Sequence, residues 1–505
     1  MAKAPKSDTN PAKPVKQAVV VVHGMGEQVP MQTLESFVDA VWTTDDTLTP
    51  GDHGGQNPSW GKPDRRNRSF ELRRITTGSG RTGRRTDFYE FYWAHLMKGN
   101  TWEHVKGWIV GLLFRKPFSQ VPRRVLPAWV MLWLISLVAL AAMAWGLLPE
   151  GSKSGVWNFL FDTDMPAPGA LSGLITGGLG LLISALVSNV LVKRFGDVAR
   201  YVTASPPNVD RRQEIREKGV ELLQTLTDSK QSDGVTDSYD RIIVVAHSLG
   251  TIVAYDILTH FFARQNRGMQ NGQPQPERDA MERMIRAAAG LPVTPVQTDG
   301  TDPAPDPLPL DFGAFQDQQA ACFREAQAQG GAWKISDFVT LGAPLTHAEF
   351  LMAKTREDMR DKQARRVLPT CPPVLEASSK TGLKHFAYGG SSVPAKARTP
   401  HHAALFAYTR WTNLYSDHRL IVLGDIISGP VGSAFGLVEN GQELRGIRDV
   451  AVLPALEPDG RKRASMKWPF FSHNNYWRGD KPAESYDAEP PHHIAELRKA
   501  LRLGE

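Results

Sequence analysis

RIIVVAHSLGTIVAYDILTHFF, residues 241–262, changes character twice. Up to Ala246 it is a continuous run of β-branched and small apolar residues, which suits a strand buried on both faces of a sheet. From Gly250 onward the apolar residues recur at helical spacing. Between the two stand His247, Ser248 and Leu249. A strand that passes straight into a helix in this way presents a serine hydroxyl at the carboxyl end of the strand. Small residues must flank such a turn, because backbone and helix come close there, and Ala246 and Gly250 supply them. The N–H of Leu249, at the start of the helix, then points toward an oxyanion formed on a carbonyl attacked by Ser248.

The neighbouring sequence alternates in the same manner. AVVVV (18–22) reads as a second doubly buried strand, ending at His23 and Gly24. FELRRI (70–75) and TDFYEFYWA (86–94) read as strands joined by a Gly-rich turn, forming a hairpin or lying side by side. RRQEIREKGVELLQTL (211–226) has helical periodicity, and ISDFVTLGAPL (335–345) and RWTNLYS (410–416) read as further strands. Alternating strands and helices predict an α/β fold with a mostly parallel central sheet flanked by helices. Residues 264–310, rich in proline, glutamine and glycine, are expected to be a surface insertion. The divisions expected are a disordered tail (1–16), the first part of the α/β domain (17–100), a membrane insertion (101–200), the second part (201–490) and a C-terminal helix (491–505).

The membrane insertion rests on two uncharged apolar segments, VLPAWVMLWLISLVALAAMAWGLL (125–148) and ALSGLITGGLGLLISALVSNVLV (170–192). Each is long enough to cross ~30 Å of hydrocarbon as a helix. Gly173 and Gly177, then Gly180, Ser184 and Ser188, make a small-residue face suited to close helix packing, within a hairpin or between copies of the chain. Arg115, Lys116, Arg123 and Arg124 precede the pair and Lys193, Arg194 and Arg200 follow it, whereas the loop between them holds Glu150, Asp162 and Asp164 beside Lys153. This bias predicts an integral membrane protein, in a bacterial-type inner membrane, with the α/β domain cytoplasmic. Residues 101–114 read equally as an interfacial helix or a core helix.

The formal net charge is +6, with a basic cluster at Arg65, Arg66, Arg68, Arg73, Arg74, Arg81, Arg84 and Arg85. No nucleic-acid motif accompanies it, so a solvated surface or contact with anionic headgroups is expected. The only cysteines, Cys322 and Cys371, make neither a disulfide framework nor a metal spacing. There is no GxxxxGK[ST], no HExxH and no GxGxxG after a strand, so the residues point to chemistry without a cofactor.

The strand–Ala-His-Ser-Leu-Gly–helix context, the strand end VVVVHGMGEQ (19–28), VTLGAPL (339–345) and SHNNYW (472–477) together resemble the α/β-hydrolase family, in its lipase-like branch. The resemblance runs from Ala18 to Trp477, leaving out the apolar pair and the Pro-rich insertion. It departs from the usual motif at Ala246, where glycine is common. The resemblance implies a Ser-His-acid triad in the chain order Ser, acid, His. Ser248 would be the nucleophile and His473 the base. The acid would be Asp425, which opens DIISGPVG (425–432), or alternatively Asp417, nearer the strand end. The N–H groups of Met25 and Leu249 would form the oxyanion hole. His23, Gly24, Ala246, His247 and Gly250 would shape the site, with His23 a satisfied structural histidine. His492 and His493 are expected to be the solvated start of the terminal helix. Gly342 and Pro344 are expected to shape backbone. The implied activity is cleavage of carboxylic esters, of membrane lipids first, through an acyl-enzyme. The competing expectation is a hydrolase-fold membrane scaffold without catalysis.

Overall fold

The structure is a computed structural model that describes residues 16–24, 29–50, 56–64, 66–67, 70–97, 121, 126–149, 152, 201–202, 206–228, 239–269, 272–294, 306–377, 382–388, 398–418, 423–453, 472–477 and 492–505. Eight strands form one sheet: β1 (Lys16–Val22), β2 (Ser59–Pro63), β3 (Arg73–Thr77), β4 (Arg85–Phe91), β5 (Arg241–His247), β6 (Ile335–Leu341), β7 (Arg410–Tyr415) and β8 (Arg448–Ala451). Their order is β8-β7-β6-β5-β1-β4-β3-β2. Pairing is parallel from β8 through β4, and antiparallel for β4 with β3 and β3 with β2. This is an α/β protein with a mostly parallel sheet.

The principal helices are α1 (Gln32–Val38), α2 (Leu126–Leu147), α3 (Pro206–Thr227), α4 (Gly250–Gln265), α5 (Pro276–Ala288), α6 (Phe312–Ala328) and α7 (His492–Leu501). Helices cover both faces of the sheet, and the sequence of β1 shows why both must be covered. Ala18, Val20 and Val22 pack with Leu223 of α3 and Ile257 of α4. The alternate residues Val19 and Val21 pack on the other face with Phe37 of α1 and Leu497 of α7. A strand apolar at both parities has no face to give to water.

β2 and β8 escaped the sequence reading because they are the edge strands, and their residues are mostly exposed or half-buried. Within 264–310 the structure has the helix α5, which the sequence reading did not identify. Met281, Ile285 and Ala288 bury one stripe of this helix, while its many charged residues mask the pattern in composition. Arg66 is corrected: it is buried, and its guanidinium bonds the Thr225 carbonyl and covers the Tyr239 ring. His493 is buried rather than solvated, whereas His492 is exposed. Both cysteines are free and buried.

Among the described residues no helix is long and apolar enough to cross a membrane. α2 is a helix of 22 residues whose backbone is described throughout but whose side chains are described only in part. The second apolar segment (170–192), residues 101–114 and Met25 lie outside the described residues.

Candidate active site

After β1 the chain crosses to the edge at β2 and works inward through β3 to β4 beside β1, then passes to β5 on the other side of β1 and continues outward to β8. The strand order therefore reverses between β1 and β5, and a crevice opens at their carboxyl ends. Gly24 follows β1 and Ser248 follows β5, so both sequence motifs meet at this crevice. Ser248 has φ 53°, in the left-handed region. For a residue with a Cβ this conformation costs roughly 1–3 kcal/mol. It is held by the Ser248 N–H, which donates to the Leu341 carbonyl at 3.0 Å, and by the Ser248 carbonyl, which accepts from the Thr251 N–H at 2.9 Å.

Glycine is required on both sides of the serine. A Cβ on Gly250 would lie 2.3 Å from the His23 carbonyl oxygen and 2.6 Å from that of Val22. A Cβ on Gly24 would lie 2.9 Å from Ser248 Cβ. α4 thus starts directly against the end of β1. Ala246, where the related motif commonly has glycine, is fully buried among the apolar residues of the sheet. Leu249 is buried and caps the start of α4, its carbonyl accepting from the Ile252 and Val253 N–H groups at 3.0 and 3.2 Å, so its own N–H has no acceptor within the helix.

Ser248, His473 and Asp425 come together from three distant parts of the chain. His473 Nε2 lies 2.8 Å from Ser248 Oγ, and His473 Nδ1 lies 2.9 Å from Asp425 Oδ2. An ionised carboxylate can only accept, so Nδ1 carries the proton and Nε2 accepts from the serine hydroxyl. Asp425 Oδ2 also accepts from the Tyr476 hydroxyl at 2.7 Å, and Oδ1 accepts from the Ile427 N–H at 3.0 Å. Burial pushes the Asp425 carboxyl up, but its electrostatic interaction with His473 and the bonds from His473, Tyr476 and Ser428 outweigh it and hold it down at about 2.

Asp425, not Asp417, takes the bond from His473. Asp417 is exposed just beyond β7. The chain comes back to it at Gly424, whose φ is +89° and where a Cβ would lie 2.0 Å from the Asp417 carbonyl oxygen. The added residues between the two aspartates therefore leave Asp425 close to the strand end.

The two other histidines of the site remain neutral. His23 Nδ1 donates to the Gly24 carbonyl at 2.7 Å and Nε2 accepts from the Trp93 N–H at 3.2 Å. Burial lowers its pKa to about 4. His247 lies 2.8 Å through Nε2 from the His473 carbonyl oxygen, to which it donates. Burial, followed by electrostatic interaction with the neighbouring His473 imidazole, lowers its pKa to about 3. It thus pins the backbone that carries His473.

The sequence reading left two participants without a role in the triad. Tyr476 sits three residues beyond His473, in the same quoted stretch. Gly342 has φ +59°, and a Cβ there would lie 2.7 Å from Tyr476 Cε2 and 3.3 Å from His473 Cε1. Its signal was the glycine that breaks the strand run VTLGAPL. Among the described residues no group of three or more His, Cys, Asp or Glu is placed to hold a metal ion. No protein-family model, no curated protein and no solved structure matches the chain.

Proposed function

We propose that the chain is a membrane-anchored serine hydrolase of the α/β-hydrolase kind that cleaves carboxylic esters of lipids. The observation that carries this reading is the Ser248–His473–Asp425 relay, closed by contacts of 2.8 and 2.9 Å around a serine held at φ 53°. His473 Nε2 takes the Ser248 proton as Oγ bonds the ester carbonyl carbon. The carbonyl electron pair moves to oxygen, and the resulting oxyanion accepts from the Leu249 N–H. Met25 would supply the second donor. Collapse breaks the bond to the alcohol oxygen, which leaves with the proton from His473, and the acyl group remains on Ser248. Water then gives its proton to His473, attacks the acyl carbon, and the acid departs as Ser248 recovers the proton. Asp425 stays ionised throughout and offsets the imidazolium charge.

The lipid part of the reading is supported by α2. Val121, Trp129 and Phe350 form a small buried apolar cluster, with Leu126, Trp133 and Leu351 against it. The turn before Phe350 reaches the acid loop: Thr346 Oγ1 donates to the Pro430 carbonyl at 2.9 Å, and His347 Nε2 lies 3.2 Å from the Ile426 carbonyl oxygen. Farther along α2, Leu134, Leu137 and Leu140 are more than half exposed. An apolar helix is in this way tied to the rim of the site, and with residues 170–192 it would hold that rim at a bilayer surface.

The test is labelling of the detergent-purified chain by a fluorophosphonate. Labelling that is lost in both Ser248→Ala and His473→Ala supports an activated serine. A folded wild type that resists labelling favours the non-catalytic scaffold.

A further inference from the structure

At the opposite end of the sheet from Ser248, the starts of β5 and β7 and one side of α6 border a cavity of about 360 Å³. Four arginines line it, Arg84, Arg241, Arg324 and Arg410, against two acids, Asp240 and Glu505. Part of this charge has a structural explanation. Asp337, buried near the start of β6, pairs with Arg410 at 2.7 Å, Arg241 at 3.3 Å and Arg502 at 3.4 Å. One carboxylate is shared among three guanidinium groups.

That knot does not account for the rest. The two acids of the lining offset the charge only in part: Glu505 is 59% exposed and is shared between Arg410 at 3.6 Å and Arg502 at 3.5 Å, and Asp240, which accepts the Lys16 N–H at 3.1 Å, attracts Arg84 without forming an ion pair with it. The side chains of Arg84 and Arg324 make no ion pair or hydrogen bond among the described residues. Arg241 Nε is buried with no hydrogen-bond partner among them. Burial is the largest influence on both Arg84 and Arg241, and it lowers their pKa. A pocket with surplus cations, a buried unused donor and open volume is arranged for an anion.

We infer that this cavity binds a phosphate monoester. Guanidinium forks match phosphoryl oxygens in pairs, and a monoester of charge about −1.5 to −2 near pH 7 matches the surplus of cations over acids in the lining. The volume leaves room for a small organic group beyond the phosphoryl oxygens. The source is either a soluble metabolite or a lipid headgroup of the phosphatidate type. Arg241 and Ser248 stand at opposite ends of β5, roughly 20 Å apart at ~3.3 Å per residue. The cavity is therefore separate from the triad and does not depend on the ester-hydrolase reading.

The experiment is calorimetric titration of the full chain in detergent with glycerol 3-phosphate, with short-chain phosphatidate and with glycerol. Saturable binding of glycerol 3-phosphate assigns a soluble source, and binding of phosphatidate alone assigns a headgroup. Either supports the site, provided Arg324→Gln and Arg84→Gln each weaken binding by about tenfold or more. Arg324 is exposed on α6, so its variant removes the charge without touching the core. The inference is overturned if no phosphate-bearing probe binds the wild type. Unchanged affinity in Arg324→Gln with a wild-type circular dichroism spectrum overturns it equally.

Discussion

Asp417 and Asp425 differ in what the surrounding backbone gives them. Asp425 is buried and receives bonds from His473, Tyr476 and Ile427, whereas Asp417 is exposed. Under the proposed mechanism Asp425→Asn leaves the geometry in place but offers the wrong tautomer to Ser248. Its turnover of a soluble ester should fall by about 10⁴-fold, against less than about twofold for Asp417→Asn. Steady-state rates of the two variants check this, and equal losses would sink the assignment. Ser248, Leu249 and His473 were legible in sequence because their signals are local, a turn between strand and helix and a short polar motif. The acid was ambiguous because its position depends on where the chain returns at Gly424, which no local pattern encodes.

At the scale of elements, the contact between α4 and β1 sets the tolerance of the serine turn. The atoms that a Gly250 side chain would meet are backbone oxygens of Val22 and His23, which cannot swing aside. Gly250→Ala should destabilise the chain by about 3 kcal/mol or more, read as a lowered urea midpoint. A wild-type midpoint would mean that β1 and α4 separate more easily than their packing implies. α2 gives a second test, resting on the lipid reading. Trp129→Ala loosens the cluster with Val121 and Phe350, so hydrolysis of an ester embedded in vesicles should drop about tenfold or more while a soluble ester is still cut. Equal effects on both substrates would show that α2 does not orient the site. Strands β1, β4, β5, β6 and β7 were legible from their apolar runs. β2, β8 and α5 were not, since edge strands and a charged amphipathic helix bury too little per residue to mark the sequence.

For the whole molecule, burial of neutral histidines governs acid stability. His23, His385 and His401 have pKa values lowered to about 4, and His247 to about 3, in each case first by burial. In the unfolded chain these imidazoles take up protons below their ordinary 6.5, which the folded chain refuses until about 4 or 3. Stability is therefore lost as pH falls through this window, by at most about 1.4 kcal/mol per pH unit for each imidazole. Glu90 acts in the opposite sense, because burial raises its carboxyl to about 7, so its contribution is lost as pH rises from 4.5. Burial raises the carboxyls of Glu282, Glu325 and Asp449 in the same sense as Glu90, and lowers the His260 imidazole with the other four. The large shifts, four imidazoles against the single carboxyl of Glu90, set the balance. The urea midpoint should decline from about pH 6.5 to about pH 4.5, and a flat or rising profile would overturn this balance. The sequence by itself determined the α/β class, the buried strands, the serine turn and the candidate base, because each is written in periodicity or in a few adjacent residues. Only the tertiary structure decided which aspartate bonds His473, the places of Tyr476 and Gly342 beside it, the reversal of strand order that places β1 beside β5, and the arginine cavity. Those depend on which distant segments share a strand end, and that is fixed by packing of the whole sheet rather than by any local pattern.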